Sequence, residues 1–174
     1  MSFEIGSLVI YPVAGFDLQQ DYAAIQREGI LRSITARGIK QMSEGHEKLR
    51  VTTSGSGWMP AGLNSIDRSQ QWVVKCIKPR SLPANFSTRQ TTLPTSRRSD
   101  AGFTPWGYAI SPDGMAAKVG VTLVGNLATV EAVAGAVAYA VGYFPQITAY
   151  VSPPSESGDM GSATYRWEIV AEEV

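Results

Sequence analysis

The 174-residue chain is 44% hydrophobic and only 17% charged, and its 15 Lys plus Arg balance its 15 Asp plus Glu to a formal net charge of zero. That length suits one compact core with a sizeable loop region rather than two full domains, and zero net charge excludes the overall positive field that drives nonspecific nucleic-acid binding. A single cysteine, Cys76, excludes an intrachain disulfide, and so thin a charge on so apolar a chain points to a surface covered by neighbouring subunits.

The opening Met1-Ser2-Phe3-Glu4 has no basic segment, and no continuous apolar run is completed before Pro12 and Asp17. A cytosolic origin without a secretory signal is therefore expected. Asp17 to Gln26 fits one short helix, Asp17 capping it and Gln20 completing a capping box. Ile30-Leu31-Arg32-Ser33-Ile34 and Val51-Thr52-Thr53 are rich in β-branched residues, and Trp72, Val74 and Cys76 alternate as on a strand. Ser54-Gly55-Ser56-Gly57-Trp58 lacks the spacing of a phosphate-cradling loop and predicts a tight turn ahead of a buried tryptophan. Residues 1–80 thus form an N-terminal β-rich part.

Residues 81–113 hold Pro83, Pro94, Pro105 and Pro112 among many Ser and Thr residues, which predicts an extended loop or arm reaching a neighbouring subunit. Residues 114–174 read as an antiparallel β part. Val119, Val121 and Leu123 share one face, Gly125-Asn126 signals a hairpin, and Leu127, Thr129, Glu131 and Val133 continue the period. The segment from Ala132 to Ser152 has no charged residue and is long enough to span a membrane. Its Val137, Tyr139, Val141 and Tyr143, alternating with Ala138, Ala140 and Gly142, favour a strand and no membrane span. Ile147, Ala149 and Val151 alternate next, Pro153-Pro154 stops that strand, and Tyr165, Trp167 and Ile169 resume the pattern. The fold class expected is mainly β, an antiparallel sheet, sandwich or barrel-like domain with a long Pro/Ser/Thr-rich loop or arm.

No residue set reads as catalytic, cofactor-binding or metal-binding. His46, the sole histidine, lies among Glu44, Gly45, Glu47 and Lys48 and reads as a solvated turn. Cys76 reads as a buried inert thiol. Glu156 and Asp159 fall in a Ser/Gly loop, and Glu172-Glu173 is at the tail, so neither pair suits acid–base work in a cleft. Charge is nonetheless separated along the chain. Lys75, Lys78, Arg80, Arg89, Arg97 and Arg98 form a basic run without an acidic residue, whereas Glu156, Asp159, Glu168, Glu172 and Glu173 oppose the single Arg166. Arg80, Arg89, Arg97 and Arg98, meeting Glu172 and Glu173 of another copy, are candidate subunit contacts, because complementary fields fix register. The basic run has no interleaved aromatic residue before Phe103 and Trp106, so nucleic-acid binding is not expected.

The string Lys48-Leu49-Arg50-Val51-Thr52-Thr53-Ser54-Gly55-Ser56-Gly57-Trp58-Met59-Pro60-Ala61-Gly62-Leu63, followed by Cys76-Ile77-Lys78-Pro79-Arg80-Ser81, resembles small structural proteins of tailed bacteriophages. Val133-Ala134-Gly135-Ala136, Tyr143-Phe144-Pro145-Gln146-Ile147-Thr148, Pro153-Pro154 and Tyr165-Arg166-Trp167-Glu168 are similar to the closing β-segments of siphophage tail proteins. The resemblance implies a non-enzymatic virion component made in the host cytoplasm, needing no cofactor, its partners being copies of itself and other virion proteins. A distal-tail, tail-tip or tail-tube-associated place is the expectation. A head-to-tail adaptor or capsid decoration protein stays open within that class; a host-interaction or assembly binding module and an enzyme stay open outside it.

Overall fold

The computed structural model describes residues 2–25, 28–32, 36–42 and 48–174, with the backbone alone at 28–30 and 39–42. Strands dominate, as the alternating runs require: β1 (Phe3–Ile5), β2 (Leu8–Ile10), β3 (Gln19–Ile25), β4 (Glu28–Arg32), β5 (Gly38–Met42), β6 (Lys48–Gly57), β7 (Trp72–Lys75) and β8 (Arg80–Ala84). They continue as β9 (Gln90–Thr92), β10 (Trp106–Ile110), β11 (Ala116–Val119), β12 (Val121–Val124), β13 (Leu127–Val130), β14 (Ala138–Tyr143), β15 (Gln146–Val151), β16 (Ser155–Asp159) and β17 (Thr164–Glu173). Two compact units divide the chain. The first is residues 1–9 with 74–147, and the second is residues 10–73 with 148–174. Their boundaries cut across both the 1–80 and the 114–174 parts of the sequence.

In the first unit, one sheet has the order β11-β10-β14-β8 and another the order β12-β13-β9. Their inward side chains form one core of Leu93, Ala109, Ala128, Val130, Tyr139, Val141 and Tyr143. This is the sandwich form of the expected antiparallel architecture, with period-two alternation deciding which residues enter it. Tyr139, Val141 and Tyr143 point inward as their spacing predicts, but Val137 precedes the strand and is 52% exposed. On β13 the inward face is Ala128 and Val130, not Leu127 and Thr129. Ala128 is small enough to be enclosed completely, and its fit outweighs the size of Leu127. The Gly125-Asn126 hairpin joins β12 to β13, Gly125 taking φ +61° at the first central position, the arrangement of a II′ turn.

Residues 81–113 are not an arm. They contain most of β8 and all of β9 and β10, and Leu93 and Phe103 are buried. Proline misleads there because β8 is the edge of its sheet, and Pro83, opposite Ala140, sits where a strand has a neighbour on one side only. No helix among the described residues is long and apolar enough to cross a membrane, and the uncharged stretch holds β14 and β15.

The second unit is built on the order β15-β17-β6-β3, with β16 pairing β17 beside β15, and β4 pairs β5 separately. β17 and β6 run together from Tyr165↔Gly57 to Glu172↔Arg50. Ile169 and Ala171 of β17, Val51 of β6 and Ala149 and Val151 of β15 are buried. The capping-box helix does not form. Gln19–Ile25 is strand β3, Gln20 is buried with its amide donating to Thr53 Oγ1 at 2.9 Å, and the Asp17 carboxylate accepts from Ser56 N–H and Oγ. Long-range pairing with β6 thus overrides a local cap of about 1 kcal/mol. Ser54–Gly57 is likewise strand and not a turn. Gly57 is required by close approach, since a Cβ there would overlap the Val13 carbonyl and Ala14 backbone. The buried tryptophan is Trp167, whose indole N–H donates to Ala14 O at 2.6 Å, while Trp58 is 71% exposed. Glu156 and Asp159 lie on β16, not in a loop.

The inward face of β14 is testable. Val141→Ala should lower unfolding free energy by about 2 kcal/mol, from two lost methyl groups and the cavity they leave, whereas Val137→Ala should stay within about 0.5 kcal/mol. Urea midpoints followed by circular dichroism read both, and equal shifts would overturn the face assignment.

Candidate functional site

Arg98 has no solvent exposure, so each of its donors needs a protein acceptor. Nε and Nη2 grip Asp100 at 3.1 and 2.6 Å, Nη1 donates to Ser2 O at 3.0 Å and Cys76 O at 3.2 Å, and Nη2 also reaches Glu4 Oε1 at 3.5 Å. The Phe103 ring covers the guanidinium, its centroid 3.3 Å from Cζ. Lys75 completes the cluster, donating to Glu4 Oε2 at 2.8 Å. Arg98 is therefore an internal junction of the first unit and not a subunit contact. The acidic partner that the basic run lacks stands two residues beyond its end, at Asp100.

The other candidate contacts are also engaged within the chain. Arg97 donates to Pro94 O, Asn126 Oδ1 and Gly125 O, and Arg89 Nε donates to Val130 O. Arg80 is exposed at the start of β8. In the second unit Glu173 accepts from Leu49 N–H at 2.9 Å, and Glu172 lies 3.7 Å from Arg50 with both side chains about half exposed. Strand pairing fixes these partners, since β17 brings its carboxylates alongside the basic end of β6. Arg80 and Glu172 keep the most exposed charge of the six.

Two surface features of the second unit have different chemistry. The first is apolar. Phe16 N–H donates to Ser56 O and Trp58 N–H to Val13 O, which fixes the two chain segments side by side. Their rings meet edge to face with centroids 4.8 Å apart, Phe16 being 53% and Trp58 71% exposed. Tyr11, Val13 and Met59 are exposed along the same segments. The second is a polar groove of about 400 Å³ on the outer face of the sheet. Register aligns Gln19, Ser54, Glu168 and Ser155 across β3, β6, β17 and β16, and beside them Ser56, Arg166 and Ser157. Asp17 closes the groove through Ser56, whose hydroxyl and N–H hold its carboxyl below the usual value. Asp159, on a neighbouring hollow that shares Ser157, Thr164 and Arg166, is lowered by Ser162 and the Gly161 N–H. Short hydroxyls between long charged groups leave room for a hydroxyl-bearing or peptidic ligand.

Cys76 is buried and in no disulfide, and His46 lies outside the described residues. Among the described residues no group of three or more His, Cys, Asp or Glu side chains is placed to hold a metal. The alternating glycines of Ser54–Gly57 carry the missed signal for the exposed ring pair, since residues without side chains beside an aromatic mark close chain approach. Compared with known protein families, curated proteins and solved structures, the chain has no match.

The Arg98 cluster sets an acid limit on stability. Glu4 is held below its ordinary 4.5, chiefly by Lys75, and Asp100 below its ordinary 3.8, chiefly by Arg98. Carboxyls depressed on folding add stability that is complete above about pH 5 and lost as pH falls through the folded values. Arg98→Met should cost about 3 kcal/mol at pH 7, the lower end for breaking a buried pair because both carboxylates keep some water. Its stability should also fall less than the parent's between about pH 5 and 3. Urea titrations across that range measure both effects, and an unchanged pH slope would overturn the assigned role.

Proposed function

We propose that the protein is a non-enzymatic structural component of a bacteriophage virion, a distal-tail, tail-tip or tail-tube-associated protein that assembles with copies of itself and with neighbouring tail proteins. The observation that carries this reading is the exposed ring pair of Phe16 and Trp58, flanked by exposed Tyr11, Val13 and Met59, on a chain with only 17% charged residues. Aromatic side chains held rigidly at a surface are the common anchors of protein–protein contacts, and the resemblance to siphophage tail proteins names the class of neighbour. Synthesis in the host cytoplasm and residence in the particle follow from the same reading, as does the absence of a nucleic-acid partner. Adaptor or capsid decoration places would use the same surface.

The polar groove lined by Ser54, Ser56, Glu168 and Arg166 favours a second reading, a host-interaction module. Its hydroxyls, carboxylates and guanidinium suit a saccharide of the cell surface.

Two experiments separate these readings. Mass spectrometry of purified particles should find the chain in several copies per particle, and its absence from particles would overturn the virion reading. Phe16→Ser with Trp58→Ser should lower incorporation at least tenfold, the consequence of losing about 2 kcal/mol at an anchor, while thermal melting of the free protein stays within a few degrees. Undiminished incorporation would remove the ring pair from the interface. Binding of purified protein to host cell-wall glycans, abolished by Arg166→Ala, would support the host-interaction reading.

A further inference from the structure

The β12 strand is the outer edge of the β12-β13-β9 sheet. Along the other side of β13, Val130 N–H donates to Arg89 O and Leu93 N–H to Asn126 O, so Val130 and Ala128 direct their main-chain groups toward β9. Antiparallel alternation then leaves Leu127 and Thr129 facing β12, where they pair with Val124 and Thr122. The bond from Glu131 N–H to Gly120 O continues the same alternation. It follows that Val121 and Leu123 turn their N–H and C=O groups outward, away from β13.

Two other edges in this unit are blunted. Strand β8 carries Arg80 and Pro83, and β11 carries Lys118. Val121-Thr122-Leu123-Val124 has no charge, no proline and no glycine, and Leu123 and Val124 are exposed. A strand edge of this kind is a template for another strand.

We propose that β12 pairs with β12 of a second copy, antiparallel across a two-fold axis at Thr122, making one continuous six-stranded sheet from two three-stranded ones. An antiparallel edge is its own complement under such an axis. Val121 of each copy faces Leu123 of the other and exchanges both main-chain bonds with it, giving four bonds in all. Thr122 meets Thr122 as the close, non-hydrogen-bonded pair. Val121 already packs against the first unit's core, and the partner's Leu123 lands beside it on the same sheet face, extending that core across the axis. This inference rests on the self-assembling reading given above and names one of its contacts.

The geometry dictates the test. At the axis the two Thr122 Cα atoms stand about 4.5 Å apart, within disulfide range, and the only native cysteine is buried. Thr122→Cys should therefore give a disulfide-linked dimer under mild oxidation, whereas Val124→Cys, displaced from the axis, should give little. Leu123→Pro removes an outward N–H that β13 does not use, so it should leave the circular dichroism spectrum intact and weaken dimerisation at least tenfold in sedimentation velocity over a concentration series. If Leu123→Pro unfolds, Leu123→Lys reads the same edge by setting a charge against the partner copy's apolar Val121 position and a like charge on the diagonal across the axis. A parent that stays a single chain at the highest concentration, equal cross-linking at positions 122 and 124, or dimerisation unchanged in both Leu123 variants would overturn the proposal. Since these measurements use the purified chain alone, they are independent of its presence in particles.

Discussion

A guanidinium withdrawn from water must find an acceptor for each of its five N–H groups, and the first unit is arranged around meeting that demand at Arg98. Asp100 supplies both carboxylate oxygens, Glu4 one more, and Ser2 and Cys76 their main-chain carbonyls. These acceptors come from the chain's opening residues, from the residue after β7 and from beside Arg98 itself. Their positions are coupled, because displacing any one leaves a buried donor unpaired in a medium where that is expensive. Arg98 N–H donates to Phe144 O, and Phe103, which covers the guanidinium, meets Phe144 edge to face at 4.9 Å. Ionic and aromatic layers are thus held in one register.

Much of the fold is legible in the sequence, since burying one sheet face imposes period-two alternation. Tyr139, Val141, Tyr143, Ile147, Ala149, Val151, Trp167 and Ile169 all follow that rule, and Pro153-Pro154 ends its strand. The misreadings share a physical origin in long-range pairing. Asp17 and Gln20 satisfy a local helix cap but find Ser56 and Thr53 across the sheet instead. Pro83 reads as a loop residue until the edge position of β8 is known. The setting of the candidate charge contacts is hidden for a similar reason: Arg97, Arg98 and Glu173 acquire partners within the chain that only the tertiary fold brings near. The polar groove was illegible as well, because Gln19, Ser54, Glu168 and Ser155 become neighbours through the register of four strands.

Within the second unit, β6 connects two kinds of surface. Its Ser54 and Ser56 enter the groove, and the chain leaving its end carries Trp58 to the ring contact with Phe16. The bond from Phe16 N–H to Ser56 O couples the aromatic segment to a strand whose other edge is held along most of its length by β17. Such rigid support is what allows an exposed side chain to be an anchor rather than a freely moving one, since less conformational entropy is lost when it is covered.

The pairing of β6 with β17 also imposes an order on biosynthesis. All of residues 74–147 separate the two strands, so the ribosome must complete the larger segment of the first unit before β17 exists. Until then β6 and β3 can form their own ladder, but the side of β6 that will receive β17 presents unpaired main-chain groups to the crowded cell. Contacts so distant in sequence form slowly, and an uncovered edge during that interval invites misassociation. The nascent chain is accordingly most vulnerable late in translation, when the first unit's sequence has been made and the second still awaits the strand at its centre.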